Sequence, residues 1–123
     1  MDHKDLDVWK KSVNYVVEIY EVTRAFPRDE IYGLAHQIRR AAVSVPSNIA
    51  EGTARSSDKD TIRFIYVALG SLAEVETQII IAGKLKYLSE ETVEQILGNT
   101  KVLRKMLMGL IRYLKNKKHL TDH

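Results

Sequence analysis

The chain has 123 residues, 45% hydrophobic, 28% charged and 7% aromatic, a composition that argues against a disordered chain and suits one globular domain over residues 1–123. Cysteine is absent, which excludes disulfides, thiolate zinc sites, iron–sulfur clusters and cysteine nucleophiles, and fits a reducing compartment. The net charge of +3 is local: residues 101–123 hold seven basic and one acidic side chain, against 12 basic and 15 acidic in residues 1–100.

With six glycines and two prolines, turn residues are too few for a sandwich or barrel, so helices are expected throughout. Leu6, Trp9, Val13, Val16, Val17 and Tyr20 recur at helical spacing, with Asp5 or Asp7 available as N-cap. They predict a first helix over 7–24. Pro27 then disfavours a helical conformation at Phe26.

A second helix is predicted over 29–51, from Asp29 to Glu51, with Ile31, Leu34, Ala35, Ile38, Ala41, Ala42, Val45 and Ile49 on one stripe. The phase survives Pro46, so the expectation is a kinked helix, and Gly52 is the natural stop. Ser57-Asp58-Lys59-Asp60 resembles a capping box and opens a third helix over 58–82, ended by Gly83. Ser89-Glu90-Glu91 opens a fourth over 90–116, its acids suited to the positive end of the helix dipole. Four such helices with short connections predict an all-α, antiparallel, up-down-up-down four-helix bundle.

Val93, Ile96, Thr100, Leu103, Leu107, Leu110 and Leu114 form the core stripe of helix 4. About a quarter turn away stands a second stripe of Val102, Met106, Gly109 and Tyr113. It is either a wide buried face with scattered exposed apolar residues or an oligomer seam. Helix 3 favours the seam. Besides its stripe of Ile65, Ala68, Leu72, Val75, Ile79 and Ala82 it carries Ile62, Leu69 and Ile80, and Phe64, Val67 and Ile81 extend the apolar surface further. A lone bundle cannot easily hide so much, and Gly70-Ser71 would permit close approach of a neighbour, so a homo-oligomer is expected. Arg39, Asn48, Glu51, Glu74, Glu76 and Gln78 lie in or beside these apolar stretches, where an interhelical ion-pair and amide network would satisfy them.

Catalytic chemistry is missing. None of His3, His36, His119 or His123 has a Glu three residues before it, as a di-iron bundle would need. No His-Glu-x-x-His, phosphate loop or Gly-x-Ser-x-Gly elbow occurs, so neither an enzyme, a metal nor a cofactor is expected. The first residues are acidic and lack a secretory pattern, and the apolar run Ile79–Ala82 is far short of the roughly 18 residues that span a bilayer. A cytoplasmic protein without a membrane partner is the expectation.

On helix 4, Lys101, Arg104, Lys105, Arg112 and Lys115 fall within about 100° of arc. Lys117 and Lys118 follow, and no acid interrupts the run. Such a run is either a solvated face or a site for something anionic, since uncompensated cations repel one another. RNA or DNA backbone would serve, and Tyr113 is the one aromatic residue nearby in sequence for stacking. The alternative is a protein-interaction scaffold whose basic face meets an acidic or enzymatic partner.

Several strings are specific enough to compare. They are Asp7-Val8-Trp9-Lys10-Lys11-Ser12, Phe26-Pro27, Tyr32-Gly33-Leu34, and Gln37-Ile38-Arg39-Arg40-Ala41-Ala42-Val43-Ser44-Val45-Pro46-Ser47-Asn48-Ile49-Ala50-Glu51-Gly52. Later come Ala68-Leu69-Gly70-Ser71-Leu72-Ala73-Glu74-Val75-Glu76-Thr77-Gln78 and Gly83-x-Leu85-x-Tyr87-Leu88. Over about residues 5–115 the chain resembles the four-helix-bundle proteins encoded in intervening sequences of bacterial 23S rRNA genes. After Gly52 the family often has an aromatic and a glycine before Arg; here Thr53-Ala54-Arg55 stands instead. The resemblance implies a cytosolic bacterial protein, a four-helix protomer and a ring-shaped homopentamer. More distantly the family is similar to the accessory variability determinant of diversity-generating retroelements, a basic pentameric barrel that binds nucleic acid and a reverse transcriptase.

Overall fold

The structure is a computed structural model that describes residues 1–121, with side-chain environments through Lys117. Among the described residues it holds no strand and four helices: α1 (Asp7–Thr23), α2 (Leu34–Thr53), α3 (Asp58–Lys84) and α4 (Glu90–Thr121). One-turn 3-10 segments at His3–Asp5 and Arg28–Glu30 precede α1 and α2.

The apolar stripe of α3 organises the packing. Ile65, Ala68, Leu72, Val75, Ile79 and Ala82 are all 0% exposed, as their spacing predicts. By length and composition α3 could also cross a membrane, which a count of consecutive apolar residues misses. Here its buried stripe packs α2 and α4 on its two sides, while Val67, Ile80 and Ile81 of the same helix stay exposed. Contact is most extensive between α2 and α3, then α3 with α4, α1 with α2, and least between α1 and α4. Neither diagonal pair makes close backbone contact among the described residues, so the four helices stand at the corners of a square around one core.

Contacting residues run in opposite directions along three of these sides. Ser44 meets Ser71 while Gly52 meets Thr61, Tyr15 meets Thr100 while Glu18 meets Gln95, and Glu76 meets Arg104 while Gly83 meets Val93.

The buried face of α1 differs from the sequence expectation. Val8, Ser12, Tyr15, Ile19 and Thr23 point inward, while Val17 is 52% and Tyr20 40% exposed. The true face lies about 100° round the helix from the purely apolar stripe. Its polar members are satisfied locally: Ser12 Oγ donates to the Trp9 carbonyl at 2.7 Å and Thr23 Oγ1 to the Ile19 carbonyl at 2.7 Å. Neither Asp5 nor Asp7 caps α1; Leu6 occupies that position without a side-chain bond, and Asp7 sits in the first turn.

Helix α2 begins at Leu34 rather than Asp29, because Arg28–Glu30 closes a tight 3-10 turn and Ile31 and Tyr32 swing out, 44% and 91% exposed. The Glu30 carboxylate reaches forward to accept from the Leu34 amide at 3.4 Å. The helix then passes buried Pro46, which has no N–H to offer the Ala42 carbonyl, and continues unbroken to Thr53. Gly52 is therefore inside α2 and not its stop. A Cβ there would lie 2.9 Å from Phe64 Cβ and 3.2 Å from the Thr61 carbonyl, so glycine permits the close α2–α3 approach.

Ser57 and Ser89 cap α3 and α4 as expected, accepting from the Asp60 amide at 3.2 Å and the Thr92 amide at 3.1 Å. Gly83 likewise does not end α3. Its missing Cβ makes room for Val93 Cγ2, and the left-handed position falls on Lys86 at φ 66°. The Tyr87 amide bonds the Ala82 carbonyl at 2.9 Å and the Lys86 amide the Gly83 carbonyl at 3.0 Å, closing a Schellman turn on a non-glycine residue. In α4 the inward stripe is Ile96, Thr100, Leu103, Leu107, Ile111 and Leu114, with Leu110 only half-buried beside it. The helix runs past residue 116 to Thr121.

Candidate nucleic-acid and assembly surfaces

At about 100° per residue, α4 has three kinds of surface. Opposite its core stripe, Lys101, Lys105 and Arg112 share about 40° of arc, all exposed, and among the described residues none of them pairs with a carboxylate. On the flank toward α3 the cations are engaged. Arg104 Nη2 donates to Glu76 Oε1 at 3.1 Å, with both side chains about one-third exposed. The run that no acid interrupts in sequence thus meets an acid in space, and Arg104 drops out of the free set. Lys115 Nζ stands 5.9 Å from the centre of the Tyr66 ring, close enough for a cation–π contact. Lys117 is exposed on the flank toward α1, and Lys118 lies outside the residues whose side chains are described.

The six residues expected at an oligomer seam do not form one patch. Val102 and Tyr113 are 46% and 58% exposed on the α1-side flank of α4. Met106, between them, is half-buried and packs on the core. Gly109 is half-buried too, and a Cβ there would meet only Arg112 Nη2, at 3.7 Å. Val67, 48% exposed, lies on the outer face of α3. Phe64 is not free apolar surface: the guanidinium carbons of Arg55 and Arg63 stand 4.6 and 5.1 Å from its ring centre.

The expected polar network resolves into separate local bonds. Arg39 Nε donates to Thr23 Oγ1 at 2.9 Å, and its guanidinium covers the Tyr20 ring at 4.8 Å. Asn48 Nδ2 donates to the Ser44 carbonyl and hydroxyl at 2.8 and 2.9 Å, and the Ser44 hydroxyl meets that of Ser71 at 2.8 Å across α2 and α3. Glu76 holds Arg104, as above. Gln78 Oε1 is buried with no partner among the described residues. Glu51 and Glu74 are exposed, Glu51 lying 3.7 Å from Arg55 of the turn after α2, so neither belongs to an interior network. Their carboxylates stay in water because α2 and α3 turn those positions outward.

Between α1 and α4 lies a shallow cleft of about 210 Å³ lined by Lys11, Asn14, Tyr15, Glu18, Asn99, Val102 and Leu103. The Glu18 carboxylate closes one side by accepting from Gln95 Nε2 at 3.0 Å and Asn99 Nδ2 at 2.9 Å. At its floor the Tyr15 hydroxyl meets Thr100, and burial pushes the Tyr15 phenol up to about 12. Among the described residues no three of His, Asp and Glu gather where they could hold a metal ion.

Two contacts of the α4 cations escape a reading of separate helices: Glu76 with Arg104 and Tyr66 with Lys115. Each joins residues far apart in the chain, and only the shared faces of α3 and α4 bring them together.

Four helices around one core, with cations clustered on the outward face of the last from Lys101 onward, define an all-α helical-bundle protein. The chain belongs to the 23S rRNA-intervening sequence protein family, whose model matches residues 4–109. That is the family its motifs resemble. Among solved structures it is similar to a crystal structure of a protein of unknown function from the S23 ribosomal protein family of Bacteroides thetaiotaomicron. The two share 25% identity and a TM-score of 0.76 over 85% of this chain and 97% of that one. A comparison with curated proteins finds no match. Lys101, Arg104 and Lys105 fall inside the family match, whereas Arg112, Lys115 and Lys117 lie beyond it.

Proposed function

We propose that this chain is a non-enzymatic protein of the bacterial cytoplasm that assembles with copies of itself and holds RNA or DNA by the backbone. The observation that carries this reading is the outward triplet Lys101, Lys105 and Arg112, which has no carboxylate partner among the described residues. Three other arginines do meet carboxylates: Arg55 with Glu51 at 3.7 Å, Arg63 with Asp60 at 3.8 Å and Arg104 with Glu76 at 3.1 Å. Three unneutralised charges on one face repel each other, and a phosphate chain relieves that repulsion while releasing its own counterions.

Exposed Val102, Tyr113 and Val67 support self-association, and the family resemblance implies a ring of five. In such a ring each subunit would repeat the cationic face. Binding to a structured RNA, followed by electrophoretic shift, should fall steeply from about 50 to 200 mM salt, with a log–log slope of roughly 3 per protomer engaged. Reversing the triplet (K101E with K105E and R112E) should abolish the shift. Retention of binding by that variant removes the nucleic-acid reading and favours an acidic protein partner for this face. Light scattering at micromolar concentration should report an oligomer, and a monomer there contradicts the assembly.

A further inference from the structure

Resting on that reading, we infer that the bound strand is unpaired where it crosses the α3 end of the cationic face, and that one of its bases stacks on Tyr66. Tyr66 is 47% exposed, and its ring already carries the ammonium of Lys115 at 5.9 Å. Lys115 lies three residues, less than one helical turn, after Arg112, so the aromatic ring sits where the cationic track of α4 reaches α3.

On the other side of Tyr66 the basic surface continues. Arg63, three residues earlier on α3, and Arg55, from the α2–α3 turn, both rest on Phe64. Their side chains are 68% and 47% exposed, which leaves guanidinium surface open to a base or a phosphate. The acids nearest these arginines, Asp60 and Glu51, hold them only through exposed pairs at 3.8 and 3.7 Å, contacts that water screens and a phosphate can displace.

Charge alone would suit a duplex as well as a single strand. An exposed ring between two groups of cations does not, because bases inside a duplex are stacked on one another and offer no free face. Unpaired bases do, and aromatic stacking beside a basic track is how strands are held without regard to sequence. A protein partner would not need the ring and the cations in this order.

The test is fluorescence anisotropy of an end-labelled unpaired RNA, the same strand as DNA, and each annealed to its complement, at one fixed salt concentration. The wild-type protein should bind the unpaired strands more tightly than the duplexes. Tyr66→Ala should weaken unpaired binding about tenfold, the loss of one stacked base, without changing the salt slope. Tyr66→Phe should retain wild-type affinity, which separates stacking from a structural defect. Equal affinity for strand and duplex, or no loss in Tyr66→Ala, overturns the inference while leaving the charge-based reading intact. Loss of salt dependence in the wild type overturns both. A preference for RNA or DNA identifies which strand is the ligand in either case.

Discussion

The Tyr15 hydroxyl donates its proton to Thr100 Oγ1, 2.6 Å away across the α1–α4 seam. The direction follows from Thr100, whose own hydroxyl is spent on the Ile96 carbonyl at 2.8 Å. Both residues are buried, at 3% and 0% exposure, so the pair is a polar pin in the least extensive side of the square.

Removing the two halves of that pin should therefore cost different amounts. Thr100→Val strands the Tyr15 donor in the interior and should destabilise by about 2 kcal/mol, whereas Tyr15→Phe leaves Thr100 bonded to Ile96 and should cost about 1 kcal/mol. The double variant should be less destabilised than the sum. Urea unfolding at constant m-value measures all three.

Alkaline pH attacks the same residue. The Tyr15 phenol titrates near 12, raised from 10.0 chiefly by burial. Its contribution is complete below pH 10, where both states are protonated, and declines between about 10 and 12 as only the unfolded chain ionises. Absorbance of tyrosinate should show a component near pH 12 that Tyr15→Phe lacks.

Glycines divide by what surrounds them. Gly52→Ala should destabilise by roughly 1–3 kcal/mol despite better helix propensity, because its methyl would meet the backbone of α3. Gly98→Ala, with nothing within 4 Å of its Cβ, should stabilise by up to about 1 kcal/mol. Thermal unfolding of the two variants should shift in opposite directions.

Lys86→Gly relieves the left-handed strain at φ 66° that closes α3. The expected gain is about 1 kcal/mol, visible as a raised urea midpoint.

On α4, Arg104→Ala should weaken nucleic-acid binding far less than Lys105→Ala, because the Arg104 guanidinium is already held by Glu76. A filter-binding comparison of the two variants at one salt concentration distinguishes them.

Legibility in the sequence followed the chemistry of each face. The stripe of α3 was plain because its inward positions are all apolar, and the caps Ser57 and Ser89 announce their helices. The inward face of α1 was hidden because Ser12, Tyr15 and Thr23 occupy it, and a pattern sought among apolar residues settles on Val13, Val16 and Val17 instead. The start of α2 is not legible because Ile31 continues the helical phase while standing in the turn. For the candidate site, the outward position of Lys101, Lys105 and Arg112 follows from angular spacing alone. The capture of Arg104 by Glu76 does not, since it needs the register of α3 against α4, which no single helix encodes.

The uneven sides of the square also rank the helices by how readily each comes loose. α2 and α3 grip one another along most of their length, while the side between α1 and α4 is the least extensive and is joined largely through amide and hydroxyl groups. Native-state hydrogen exchange should accordingly release the amides of α1 and α4 before those of the α2–α3 hairpin, which persists as the last protected unit.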